Sequence, residues 1–358
     1  MPTSEKLHNG SPAGEMGDVA VPDSTDISIL TDPLWIGPQF WTEPAKQSLA
    51  AVTQFLMRQG AARRYRGHPA VTRSLVEGLR AIGVPVQYNP RRINQLSPTV
   101  VVLCNVTALR QMIALKRQGV VRKLLAGPNM MSFSDMYDGV FGDEAIDIWL
   151  APSRQVCDLY VRDCAAIAGR CRVWPAGVDT SYWQPMESSR RRRKAIVYVK
   201  THVFPHMTTE SVPIEMCRRV LSQRGYEVQM IRYGEYSEAE YLRSLQGATL
   251  MVGFTASESQ GLAWAEAWAV NVPTLIWYRD KSICFGRAFA TSAAPYLSDE
   301  TGAFFTDEVT FRAGLEKLES RQHAMWPRDW VVGNMSVEVA TRAFCSLAGI
   351  LTLERAKQ

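Results

Sequence analysis

Short apolar runs alternate with helix-patterned segments along most of this sequence, in two series. The first series contains VPVQY (84–88), TVVVLC (99–104), RKLLAG (122–127), IDIWLA (146–151) and CRVWPAG (171–177). The second contains KAIVYV (194–199), YEVQMIRY (226–233), ATLMVGF (248–254) and PTLIWY (273–278). Runs this short, apolar on both sides, fit strands of a parallel sheet covered by helices on each face. Helical spacing is read at 44–59 (Leu49, Val52, Leu56, Met57), at 69–82 with Pro69 in the first turn, and at 107–118. It recurs after Ser153, a candidate N-cap, at 211–223, at 238–245, and in the last segment, where Ala340, Phe344, Leu347 and Leu351 share a stripe. The opening strand is either ISIL or LWIG. A linker, SYWQPMESSRRRRK, divides the two series. The expectation is a two-domain α/β chain with two Rossmann-like halves and a cleft between them.

Composition narrows the function classes. No apolar run approaches the ~18 residues that a membrane span needs. The N-terminus is polar and has no signal-peptide core, so residues 1–26 read as a disordered tail. Seven scattered cysteines without a Cys-x-x-Cys pair suggest reduced thiols and a cytoplasmic protein. The net charge is +5, and residues 31–185 carry 18 Lys+Arg against 11 Asp+Glu. That field favours anionic partners but does not choose among a nucleotide, a phosphorylated acceptor, a membrane face and nucleic acid. No nucleic-acid reading motif is present, so nucleic acid is the unlikely choice.

ASESQGLAWAEAW (256–268) is the most informative stretch. It leaves the end of ATLMVGF, where open parallel sheets bind ligands. Gly261 opens a helix whose first amides, near Gln260 to Ala263, are unpaired donors able to hold a diphosphate. Glu266 is the only charged residue from Gly261 to Tyr278. A carboxylate on so apolar a helix calls for a partner, and a pair of sugar hydroxyls would serve. The tryptophans around it read as core.

ESQGLAWAEAWAVNVPTL resembles the Glu-x7-Glu motif of retaining GT-B glycosyltransferases. VWPAGVDTSYWQP (173–185) is similar to that family's Pro-x-Gly-Val-Asp junction segment, and APSRQVCDLY (151–160) to the strand-Ser-helix unit before it. The three matches come in the family's order. The resemblance implies GT-B architecture: an N-terminal acceptor domain at 27–185, a C-terminal nucleotide-sugar domain at 186–332, and a C-terminal helix, 333–358, returning to the first domain. It implies a hexosyltransferase-type enzyme using a nucleotide-sugar donor with retention, without a metal or further cofactor. By motif position, Glu266 would bind the donor ribose, Glu258, a catalytic candidate, would contact the donor sugar or its phosphate side, and Gln260, Gly261 and Leu262 would offer backbone amides to the donor. Lys200 would neutralise phosphate, with His202 and His206 as helpers, although the arginine that usually accompanies that lysine is missing. Gly177 and Asp179 would face the cleft.

In the N-terminal half, Arg64, Arg66 and His68 precede a helix start and are candidates for an anion or acceptor site, with His68 a catalytic candidate. Asn129 and Asp135 follow a strand end and are acceptor candidates, although turn chemistry explains Gly-Pro-Asn equally well. The basic run 190–194 is a solvated linker or, as the minority reading, a contact with an anionic membrane face. Cys157, Cys164 and Cys171 recur every seven residues, but no nearby histidine completes a metal site. A sugar-nucleotide epimerase of the same architecture and a non-catalytic sugar-nucleotide-binding regulatory protein remain alternatives, and the acceptor is unknown.

Overall fold

The computed structural model describes residues 26–31, 67–90, 92–128, 133–186, 193–200, 213–284, 286–320 and 326–350. The N-terminal tail, the segment at 44–59 and LWIG therefore lie outside the described residues. So do Arg64, Arg66, Asn129, His202 and His206.

The chain builds two parallel sheets. The first contains β1 (Ile27–Leu30), β2 (Val86–Tyr88), β3 (Thr99–Val102), β4 (Lys123–Ala126), β5 (Ile148–Ala151) and β6 (Cys171–Val173), in the order β2-β1-β3-β4-β5-β6. ISIL is thus the opening strand. Helices α1 (His68–Ala81), α2 (Val106–Arg117) and α3 (Arg154–Asp163) cover it. The second half contains β7 (Lys194–Val199), α4 (Ile214–Gln223), β8 (Glu227–Arg232), α5 (Glu238–Gly247), β9 (Leu250–Phe254), α6 (Leu262–Ala269) and β10 (Thr274–Trp277). An antiparallel hairpin, β11 (Lys281–Cys284) and β12 (Arg287–Ala290), follows, then β13 (Gly302–Phe305) and α7 (Glu308–Ser320). The second sheet runs β13-β10-β9-β7-β8.

Local chemistry sets the boundaries. The Asn105 side chain accepts the Ala108 amide at 2.8 Å and starts α2. Ser237 and Glu240 form a reciprocal capping box at α5. Ser153 does occupy the N-cap position of α3, yet its hydroxyl makes no cap hydrogen bond and is buried without a partner. The central strands β3 and β9 are buried along their whole length, as two-sided apolar runs require.

Two final helices knit the halves together. α8 (Pro327–Met335) packs on α6, with the Trp268 and Trp330 rings 5.6 Å apart. The Arg328 guanidinium donates to the carbonyls of Ala269, Trp183 and Thr180 at 2.6–2.9 Å. α9 (Val337–Ala348) crosses back and packs against α1, placing Phe344, Cys345 and Ala348 in the core of the first half. The Trp174 indole donates to the Ala340 carbonyl at 2.8 Å. The backbones approach so closely here that a Cβ on Gly177 would lie 2.5 Å from Val337 Cα. Gly177→Ala is therefore expected to lower stability by about 1–3 kcal/mol, read as a fall in the denaturant midpoint at unchanged m-value.

Among the described residues no helix is long and apolar enough to cross a membrane. The tryptophans of the 256–278 segment are core: Trp264, Trp268 and Trp277 are all buried. Cys157 and Cys171 are buried too, without a disulfide, and burial pushes the Cys171 thiol well up.

Candidate ligand cleft between the two sheets

Each sheet reverses its strand order beside its first strand, between β1 and β3 in one half and between β7 and β9 in the other. Crevices outside the carboxyl ends of strands at such reversals are where open α/β sheets hold ligands. In the second half, β7 exits into Lys200 and β9 exits into the loop 255–260. The Lys200 Nζ lies 2.7 Å from Glu258 Oε1, with both side chains largely buried. The Thr255 hydroxyl adds a longer bond to the same carboxylate oxygen, at 3.4 Å. Lys200 also sits over the Tyr233 ring, 4.8 Å from its centroid.

A cavity of about 390 Å³ opens at this point, and both halves contribute to its walls. His68, the first residue of α1, and Pro152 come from the first half. Lys200, Glu258, Gly261, Leu262 and Glu266 come from the second. Glu266 is half-buried on the cavity side of α6, so the lone acid of that helix does face the interdomain gap. Gly177 and Asp179 line a narrow crevice that adjoins the cavity through Leu262 and Glu266. Burial pushes Asp179 up, but hydrogen bonds from the Ser181 hydroxyl and the Tyr182 and Ser181 amides, with the Arg73 charge, hold its carboxyl below the usual aspartate value.

Gly261 caps α6 in the left-handed region, with φ +83°. A Cβ there would lie 2.4 Å from Trp264 Cδ1, so the glycine is required by the helix's own indole as well as by its backbone angle. The start of α6 is thereby pinned beside the cavity, where its unpaired first amides carry partial positive charge. The Gln260 side chain, in contrast, is spent elsewhere. Its Nε2 donates to the Ala176 carbonyl at 2.8 Å and its Oε1 accepts the Ala176 amide at 2.9 Å. That reciprocal pair ties the second half to the junction segment and leaves only the Gln260 backbone for a ligand.

Sequence reasoning missed the aromatic wall. Tyr198, Tyr233, Tyr236 and Tyr241 all line the cavity. The Tyr198 and Tyr236 hydroxyls are 2.9 Å apart, and Tyr241 Oη donates to the Ala263 carbonyl at 2.8 Å. Burial raises the Tyr198 and Tyr241 phenols well above their ordinary value, so both stay neutral. For Tyr198, Tyr233 and Tyr236 a place in or just after a strand, in KAIVYVK and IRYGEYS, was the available signal, whereas Tyr241 comes from inside α5. Glu238 and Arg73 were missed as well. Glu238 opens α5 and is 5% exposed, and Arg73 of α1 pairs with it at 3.1 Å across the two halves. No local pattern announces a pair 165 residues apart. Asp135 engages Arg287 through both carboxylate oxygens, at 2.7 and 2.8 Å, and that pairing holds its carboxyl below the usual range. The acceptor candidate of the sequence is thus an interdomain ion pair.

No protein-family model and no curated protein matches this chain. Solved structures do. Sucrose-phosphate synthase from Thermosynechococcus elongatus aligns with a TM-score of 0.55 and 14% identity, covering 90% of this chain and 98% of the other. HepE of Anabaena, in complex with UDP and glucose, aligns at 0.52 and 12%, covering 91% and 100%. A glycosyltransferase from Rickettsia africae aligns at 0.50 and 9%, covering 90% and 97%. At these identities the likeness is one of fold, and the fold is the two-domain GT-B architecture.

Proposed function

We propose that this chain is a glycosyltransferase that moves a sugar from a nucleoside-diphosphate donor to an acceptor hydroxyl, with retention and without a metal. One observation carries the proposal: Lys200, Glu258, the start of α6 and Glu266 meet in a single cavity at the strand-order reversal, closed from the other side by α1. Glu266 would take the two ribose hydroxyls, whose donors suit a carboxylate. The α6 amides and Lys200 would take the diphosphate, offsetting its charge in place of a divalent cation. Glu258 would hold the donor sugar, and His68 would face the acceptor. In the transfer, the anomeric C–O bond to the diphosphate breaks and a bond to the acceptor oxygen forms on the same face. The acceptor proton passes to the departing phosphate oxygen, so no enzymic nucleophile is required. That the Anabaena neighbour was solved in complex with UDP and glucose supports a nucleotide-sugar ligand here.

The test is a panel of nucleoside diphosphates and their sugars scored by thermal unfolding. A ligand at 100 times its dissociation constant adds about 2.7 kcal/mol and moves the midpoint visibly. Stabilisation by one nucleoside diphosphate, with release of that diphosphate from its sugar conjugate when acceptor is present, is expected. A flat response across the panel overturns the assignment.

A further inference from the structure

We propose that Gln155, at the start of α3 in the first half, is a positioning residue for Glu258, acting together with an interdomain strap formed by the β11–β12 hairpin. Its Nε2 donates to the Glu258 carbonyl at 2.6 Å and to the Ser292 carbonyl at 3.3 Å. Its Oε1 accepts the Ser292 amide at 2.8 Å. The Glu258 amide in turn donates to the Ser292 carbonyl at 3.3 Å, and the Ser257 and Thr291 hydroxyls are 2.5 Å apart. One carboxamide from the opposite half therefore completes the hydrogen bonding between two loops of the second half, 257–258 after β9 and 291–292 after the β11–β12 hairpin.

The second of those loops is itself fastened to the first half on both sides. Before it, Arg287 pairs with Asp135 and, at 3.5 Å, with Asp163. The Arg287 guanidinium lies 4.2 Å from the Phe133 ring centroid, and Phe289 meets the same ring edge-on at 5.7 Å. After it, the Tyr296 hydroxyl donates to the Pro152 carbonyl at 2.7 Å, beside the cavity wall. The loop 255–260 has no helix or strand of its own, so its backbone depends on such outside anchors to stay fixed. If the halves part, the Gln155 bonds and the strap's contacts with the first half are lost together, and the Glu258 backbone loses the anchors that fix it beside Lys200. Domain closure and placement of the carboxylate are then one event.

Gln155→Glu keeps the length of the side chain but sets an oxygen against two carbonyl oxygens. Amide exchange across 255–260 is expected to quicken about tenfold, with α6 unchanged. Turnover of the stabilising donor should fall at least about tenfold with KM within about threefold, and the same change in a Glu258→Gln background should add no further loss. Arg287→Ala, outside the cavity, should quicken exchange in both 255–260 and 287–292. Unchanged exchange at 255–260 in both variants, or losses in kcat that multiply with Glu258→Gln, overturns the proposal. The turnover arm rests on the glycosyltransferase assignment. If no donor is turned over, that assignment fails while the exchange arm still decides the strap.

Discussion

Glu266→Ala is expected to remove saturable binding of the nucleoside diphosphate that stabilises the wild-type protein, raising its Kd at least about 100-fold. Hydrogen bonds to an ionised group contribute about 1.5–3 kcal/mol each, and a carboxylate spanning two ribose hydroxyls makes two. Losing about 3 kcal/mol corresponds to about two orders of magnitude in affinity. The side chain is half-buried on the cavity wall of α6, so truncation opens no void in the core. Stability without nucleotide should stay within about 0.5 kcal/mol of wild type. Titration calorimetry together with urea unfolding checks both halves of the expectation. A folded Glu266→Ala protein that binds as tightly as wild type would show that the ribose lies elsewhere.

The second large effect is expected in turnover. Glu258→Gln preserves the shape of the side chain and an oxygen for Lys200, which now sits 2.7 Å from the carboxylate. What it removes is the negative charge. If that charge acts on the donor sugar as its C–O bond breaks, kcat should fall by about 10²–10³ while nucleotide affinity changes only a few-fold. Release of nucleoside diphosphate under saturating donor is the measurement. A variant with full kcat but weakened nucleotide affinity would move Glu258 from the sugar to the phosphates.

Much of the architecture was open to reading because it follows from local composition. The VVV of β3 and the LMVGF of β9 carry no polar side chain and are buried throughout, and only strands covered on both faces tolerate that. The lone acid in LAWAEAWA, with the glycine ahead of it, marked a helix start at a strand exit, and Glu266 does line the cavity there. The hairpin and α8 escaped detection because the hairpin has little apolar patterning and the buried stripe of α8, Pro327, Val331 and Met335, spans only nine residues. β12 is mostly exposed, and α8 is held by Arg328 and by ring contacts with α6. Gln260 shows a different limit. Its position in the motif is correct for a ligand loop, but its side chain reaches Ala176, 84 residues away, and that distance has no signature in the chain.

By itself, then, the sequence determined most of the strands and helices of the two sheets, and that a carboxylate and a helix start share one strand end. Those are short-range matters of periodicity, capping and backbone freedom. The tertiary structure alone decided which side chains meet: Arg73 with Glu238, Gln155 with Glu258 and Ser292, and four tyrosines along one wall. Such contacts depend on how two sheets are turned toward each other. That orientation is a balance of many weak long-range interactions that no single stretch of residues encodes.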